Sequence, residues 1–145
     1  MSEVLAPGDV LLGATAASKE EAIREAGAVL VRAGAVTPEY VDAMLERERS
    51  ISTYMGNYLA IPHGTNEAKG TIVRSALCLV RYDEPVDWDG NPVRVVVGIA
   101  GVGDEHLEIL SRIALVFADM DQVQQVLDAT TPAQVYAILQ QVNEA

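Results

Sequence analysis

Disulfides, thiolate metal clusters and membrane spans are all disfavoured by what this chain has little of. Its single cysteine, Cys78, lies between Leu77 and Leu79, so it lacks a disulfide partner, cannot build a cysteine metal cluster, and reads as a core residue. Aromatic residues make up 5% of the sequence, which leaves Val, Leu, Ile and Ala to pack the interior. Lys and Arg total 10 against 21 Asp and Glu, a formal net charge of -11. A surface of that sign repels polyphosphates, so nucleic acid and anionic membranes are poor partners and a protein with a basic patch is a better one. No run reaches the ~18 apolar residues of a membrane-spanning helix. The opening MSEVLAPGDV has neither a basic start nor a long apolar stretch, so no signal peptide is expected and the chain reads as cytoplasmic. Three catalytic signatures are missing too. Without G-x-x-x-x-G-K-[ST], ATP is a poor phosphoryl source; without G-x-S-x-G, no serine elbow exists; without H-E-x-x-H or paired ligand spacing, a metal site has little support.

What is present fits one α/β domain over residues 1–145. Half of the residues are hydrophobic, enough for a sizeable core. Residues 10–13 predict a short strand. Ser18 with Glu21 three places later predicts a helix start of the capping-box kind; Ile23, Ala26, Leu30 and Ala33 follow at helical spacing, and Gly34 supplies the stop. Thr37-Pro38 predicts a second helix, threonine at the cap and proline in the first turn, carrying Tyr40, Met44 and Arg47 along one face. Residues 75–82 read as a buried strand ended by Asp83-Glu84-Pro85, residues 88–92 as a turn, and residues 93–100 as the strongest strand. A third helix is expected from near Asp104, with His106, Leu110, Ile113 and Phe117 on one face. Residues 121–127 read as a short helix, and Thr131-Pro132 opens a last one with Val135, Ile138, Leu139 and Val142 facing inward. Helices and strands intermix, which points to a mixed sheet flanked by helices; the pattern does not give strand order.

Chemistry concentrates in Leu59-Ala60-Ile61-Pro62-His63-Gly64-Thr65. Pro62 fixes its own φ and biases Ile61 toward extended geometry, so His63 stands at a strand end. Gly64 removes a Cβ beside the imidazole, leaving room for a partner's backbone or a bulky anion. His63 is one of two histidines. It could simply bond backbone, or use one ring nitrogen as nucleophile while the other fixes the tautomer. His106 reads either as a half-buried helix-start residue or as a donor near a developing anion. Asp104 and Glu105 beside it would cap the helix yet repel an anion unless they point away. By local pattern Arg47 belongs to a solvated ion-pair ladder with Glu46, Glu48 and Arg49; its other use is neutralising a phosphoryl group.

The run GNYLAIPHGTNEAKG, with Met44-Leu45-Glu46-Arg47-Glu48 and Thr37-Pro38-Glu39-Tyr40-Val41 before it, resembles enzyme IIA of the mannitol/fructose class of the bacterial phosphoenolpyruvate-dependent sugar phosphotransferase system. The strand at 95–100 and Asp104-Glu105-His106 extend the resemblance over nearly the whole chain, and the mannitol-specific branch is the closer match. The resemblance implies a mixed, about five-stranded sheet with helices on both faces. It implies a phosphotransferase in which His63 takes a phosphoryl group at Nε2 from the phosphocarrier protein HPr and passes it to a cysteine of the cognate EIIB domain. His106 and Arg47 would steady the group, with no metal and no cofactor. The alternative is a regulatory phosphoacceptor of the nitrogen-related kind, which shares the I/V-P-H-G core but acts by protein binding; the continuation after His63 is more like the mannitol branch. No EIIB or EIIC region is present, so the chain would be a free-standing subunit or a fragment working with a separate permease. Asn57-Tyr58 and Trp88-Asp89-Gly90-Asn91 are not tied to the family pattern, which leaves the substrate within the class open.

Overall fold

In the computed structural model, residues 4–143 are described. Strand β1 (Val10–Ala14) leads through helix α1 (Lys19–Arg32) and helix α2 (Glu39–Ser50) to a small hairpin, β2 (Tyr54–Gly56) and β3 (Leu59–Ala60). The long hairpin β4 (Ala76–Trp88) and β5 (Asn91–Ala100) follows, then helices α3 (Glu105–Ala118), α4 (Met120–Asp128) and α5 (Pro132–Leu139). The five strands form one sheet in the order β1-β4-β5-β3-β2. β1 pairs with β4 and β3 with β5 in parallel; β4–β5 and β2–β3 are antiparallel. This is the mixed sheet with helices on both faces that the resemblance implies.

The period-two alternation of β4 explains why one apolar run serves two cores. Ala76, Cys78, Val80 and Tyr82 pack with Ile23, Ala26 and Leu30 of α1 and with Tyr40 and Met44 of α2. Leu77 and Leu79 pack with Ile109, Ile113, Val116 and Phe117 of α3, Val123 and Val126 of α4, and Val135 and Leu139 of α5. A sheet covered on both sides reads as continuous hydrophobicity in sequence. Cys78 is a core residue, as expected, its thiol donating to the Ala26 carbonyl. Among the described residues no helix is long and apolar enough to cross a membrane.

Several boundaries differ from expectation, each for a local reason. α1 starts at its Ser18 cap, which accepts from Glu21 N, but the Glu21 carboxylate reaches back to Ala17 N, one residue before the cap. Gly34 ends α1 with φ +75, and the Ala35 N–H returns to the Leu30 carbonyl, as a left-handed glycine stop does. α2 is capped by Pro38, not Thr37, without a side-chain bond; its first turn closes on backbone through Tyr40 N to Thr37 O. β4 does not stop at Asp83-Glu84-Pro85 but continues to Trp88, with a register shift between Arg81 and Val86 that accommodates the exposed proline. The turn after it is only Asp89-Gly90, both at positive φ. β2 was not expected at all. Its hairpin turns on Asn57-Tyr58, at φ 52 and 68, with Asn57 Nδ2 donating to the Phe117 carbonyl. The buried face of α3 centres on Ile109 and Ile113, with His106 and Leu110 half-buried at its margin.

Arg81 lies on the α4 side of β4, 8% exposed. Its Nη1 donates to the carbonyls of Val126 (3.0 Å), Leu127 (3.2 Å) and Ala129, closing the end of α4 where no basic residue of the helix's own is available. A guanidinium there also meets the negative end of the helix dipole. Removing it orphans these buried acceptors, and Arg81→Ala should lower the unfolding free energy by about 3 kcal/mol, read from urea melts.

Candidate functional site

The parallel pairing of β3 with β5, Leu59 opposite Val95 and Ala60 opposite Val96, extends past Pro62 to a bridge between His63 and Ile99. The Ile99 N–H donates to the Pro62 carbonyl at 3.1 Å, and the Ile61 N–H to the Thr53 carbonyl at 3.0 Å. His63 is therefore gripped by backbone on both sides at the C-terminal ends of two parallel strands. Its Nδ1 lies 2.8 Å from the Ile61 carbonyl oxygen. A carbonyl can only accept, so Nδ1 carries the proton and Nε2 keeps the lone pair.

β5 ends at Ala100, and the turn into α3 brings His106 back over Gly101. A Cβ on Gly101 would lie 2.5 Å from His106 Cα, so only glycine allows this approach. The two imidazoles come to 5.0 Å between centroids, tilted by 60°. Arg47, near the end of α2, lines the same cleft and donates from Nη1 to the Ile51 carbonyl at 2.7 Å. The cleft holds ≈ 620 Å³ and is walled by Tyr40, Arg47, His63, Gly64, Thr65, Asp104 and His106 among others. All three residues singled out in the sequence thus face one space.

The carboxylates that could spoil this space for an anion are differently placed. Glu105 accepts from Ser75 Oγ at 2.7 Å, and that hydroxyl in turn accepts from Val102 N at 2.9 Å. Glu48, 5% exposed, is held by Thr53 N, the Thr53 hydroxyl and Trp88 Nε1. Asp104 remains on the cleft wall and, although at the α3 cap, makes no side-chain cap bond. Among the described residues no group of three or more His, Cys, Asp or Glu is placed to hold a metal ion.

In the sequence pattern Tyr40 falls on the Arg47 face with no role of its own. It is 2% exposed, and its hydroxyl donates to the Ile99 carbonyl at 2.7 Å while accepting from Gly64 N at 2.8 Å. The ring lies so close under Gly64 that a Cβ there would stand 2.5 Å from Tyr40 Cε1. The volume that the missing Cβ vacates is taken by the Tyr40 ring, so the glycine serves an internal contact and not the opening for a partner or an anion expected beside His63. The spacing of Tyr40 and Arg47, two helical turns apart, was the available signal; a contact 59 residues along the chain was not.

The family model for the phosphoenolpyruvate-dependent sugar phosphotransferase system, EIIA 2, matches residues 3–142. The chain belongs to that family. It is accordingly a phosphotransferase component. Over 141 residues it is 52% identical to the mannitol-specific phosphotransferase enzyme IIA component of Halalkalibacterium halodurans, covering 97% of each chain. Its fold is similar to that of IIA mannitol from Escherichia coli in a crystal structure, at TM-score 0.86 and 36% identity, covering 92% of this chain and 97% of that one. It is similar again, at TM-score 0.90 and 35% identity, to a chain in the Escherichia coli complex of enzyme IIA(Mtl) with phosphorylated enzyme IIB(Mtl), covering 97% and 99%.

In this EIIA chain, burial holds His63 below the ordinary histidine pKa; the Arg47 charge pushes the same way, while the Ile61 hydrogen bond and Glu48 oppose. An NMR titration should place its midpoint below that of a free imidazole, and Arg47→Ala should move it upward. Because the folded state is the less basic one, the unfolded chain takes up this proton first as pH falls. The stability contribution is full above the ordinary histidine range and declines as pH drops through it. Gly64→Ala, which drives a methyl into the Tyr40 ring, should cost about 1–3 kcal/mol in thermal or urea unfolding.

Proposed function

We propose that this chain is a mannitol-type phosphocarrier: His63 accepts a phosphoryl group from phospho-HPr and delivers it to a cysteine of a cognate EIIB domain. The observation that carries the reading is the Nδ1 bond to the Ile61 carbonyl, which leaves Nε2 as the nucleophile. The Nε2 lone pair attacks phosphorus as the donor's N–P bond breaks, and the donor imidazole departs with the electron pair. In the second half the acceptor thiolate attacks phosphorus, the Nε2–P bond breaks, and His63 returns to the neutral imidazole. Each step passes through a loose transition state, for which the protein supplies in-line positioning and charge.

Arg47 exchanges its Ile51 contact for the phosphoryl oxygens, and His106 supports them from the facing wall. The depressed basicity of His63 keeps the nucleophile unprotonated at neutral pH. Exposed apolar residues at the rim, Val102 at 46% and Leu107 at 66%, suit the covering of the cleft by a docked protein that excludes water. The acidic chain complements a basic rim on that protein. The mannitol assignment follows the relative of 52% identity and the EIIB partner follows the Escherichia coli complex, which favours transport over the nitrogen-type regulatory reading.

The test is to incubate the protein with phosphoenolpyruvate, enzyme I and HPr and to map the acid-labile phosphate. Label should fall on His63 and vanish in His63→Ala; label persisting in that variant refutes the assignment. Arg47→Ala and His106→Ala should fold normally and transfer about 10²-fold more slowly, the usual loss for one transition-state donor. Rapid-quench kinetics with phospho-HPr and with a mannitol EIIB domain check both halves.

A further inference from the structure

We infer that Tyr40 is a positioning residue for phosphoryl transfer, its hydroxyl holding the His63 turn and the His106 turn in register; this rests on the phosphocarrier reading above. The hydroxyl is bonded to one backbone atom of each of two neighbouring chain segments. Gly64 N, 2.8 Å away, belongs to the peptide that follows His63. The Ile99 carbonyl, 2.7 Å away, belongs to the end of β5, two residues before Gly101 and its close contact with His106. One oxygen therefore spans the two chain segments that carry the histidines.

The chemistry of that bridge is directional. The Tyr40 O–H donates to Ile99 and the lone pair receives Gly64, so both roles are needed and a proton must stay on the oxygen. Burial pushes the phenol up to about 12, so the proton is retained at any pH at which the protein works. The bond also occupies the Gly64 N–H, a donor adjacent to His63 that would otherwise be available to an incoming anion. Transfer is thereby left to groups that approach from the cleft, Arg47 and His106. The base of the bridge is stiff as well, because Tyr40 belongs to α2, two turns before Arg47, and its ring is clamped beneath Gly64. Three of the cleft's polar walls are consequently referred to one side chain. Loss of the hydroxyl leaves the fold its phenyl ring and its backbone bridge from Ile99 N to Pro62 O, but releases the Gly64 peptide from the end of β5.

Effects of this kind appear in rate, because misplacing reacting groups by about 1 Å costs up to about 10²-fold. The experiment measures transfer from phospho-HPr to wild type, Tyr40→Phe, His106→Ala and the double variant, with the site of label mapped in each. Tyr40→Phe should keep a cooperative unfolding transition and carry label on His63, yet accept it at least about tenfold more slowly. In the His106→Ala background the same change should cost clearly less than in wild type, since the part of the loss that comes from aligning His106 is already gone while the alignment of His63 with Arg47 is still at stake. An unchanged rate in Tyr40→Phe, an equal loss in both backgrounds, or loss of cooperative folding in Tyr40→Phe would each overturn the assignment. Label absent from His63 in the wild type would instead refute the phosphocarrier reading itself, which separates the two failures.

Discussion

The backbone of Ile99 is the point on which the site depends. Its N–H is taken by the Pro62 carbonyl and its carbonyl by the Tyr40 hydroxyl, so both polar atoms are committed at the end of a strand. Pro62 has no N–H to continue the ladder, and the chain is free to present His63 at that point while remaining anchored to β5. The same strand end passes into the turn that returns His106. Were the register of β3 on β5 to slip by one residue, Leu59 and Ile61 would exchange faces with Ala60 and the imidazole would leave the cleft. The apolar identities of Leu59 and Ile61, packed with the α3 side of the sheet, thus guard the geometry of the proposed site as well as a core.

Charge is handled by pairing rather than by exclusion. Each of the two side chains proposed to steady a phosphoryl group has a carboxylate beside it in sequence: Glu48 after Arg47, and Glu105 before His106. The fold turns both away, Glu48 onto Thr53 and Trp88 and Glu105 onto Ser75. A chain of net charge -11 can then keep a cleft suited to an anion while its outer surface stays acidic. The acidic exterior favours encounter with a basic partner through long-range steering, and that benefit fades with salt.

Much of this was legible in the sequence, and what was not has identifiable causes. Strong local signals carried through: the Ser18 cap, the Gly34 stop, the Thr131-Pro132 helix start and the apolar run of β5 all lie where their chemistry puts them. His63, His106 and Arg47 stood out as candidates from the residues themselves, but their roles came from the resemblance, since local pattern alone favoured a solvated Arg47. The failures share a cause in long-range pairing. β2 is three residues long and exists because β3 is beside it, and a bulky Tyr58 at positive φ is no turn signal. β4 runs through Pro85 because β5 continues to pair beyond it. Tyr40 reads as an ordinary core aromatic until its hydroxyl is seen between two strand ends.

Trp88 is the chain's one tryptophan, fully buried, with its indole N–H on Glu48 at 3.1 Å. Glu48 follows Arg47 and also fastens Thr53, whose carbonyl holds the strand leading to His63. The protein therefore carries its own optical probe one residue removed from the cleft's cation. Its ultraviolet emission comes from a single, buried environment, so a shift in wavelength or lifetime would report movement at the end of α2 without any label attached.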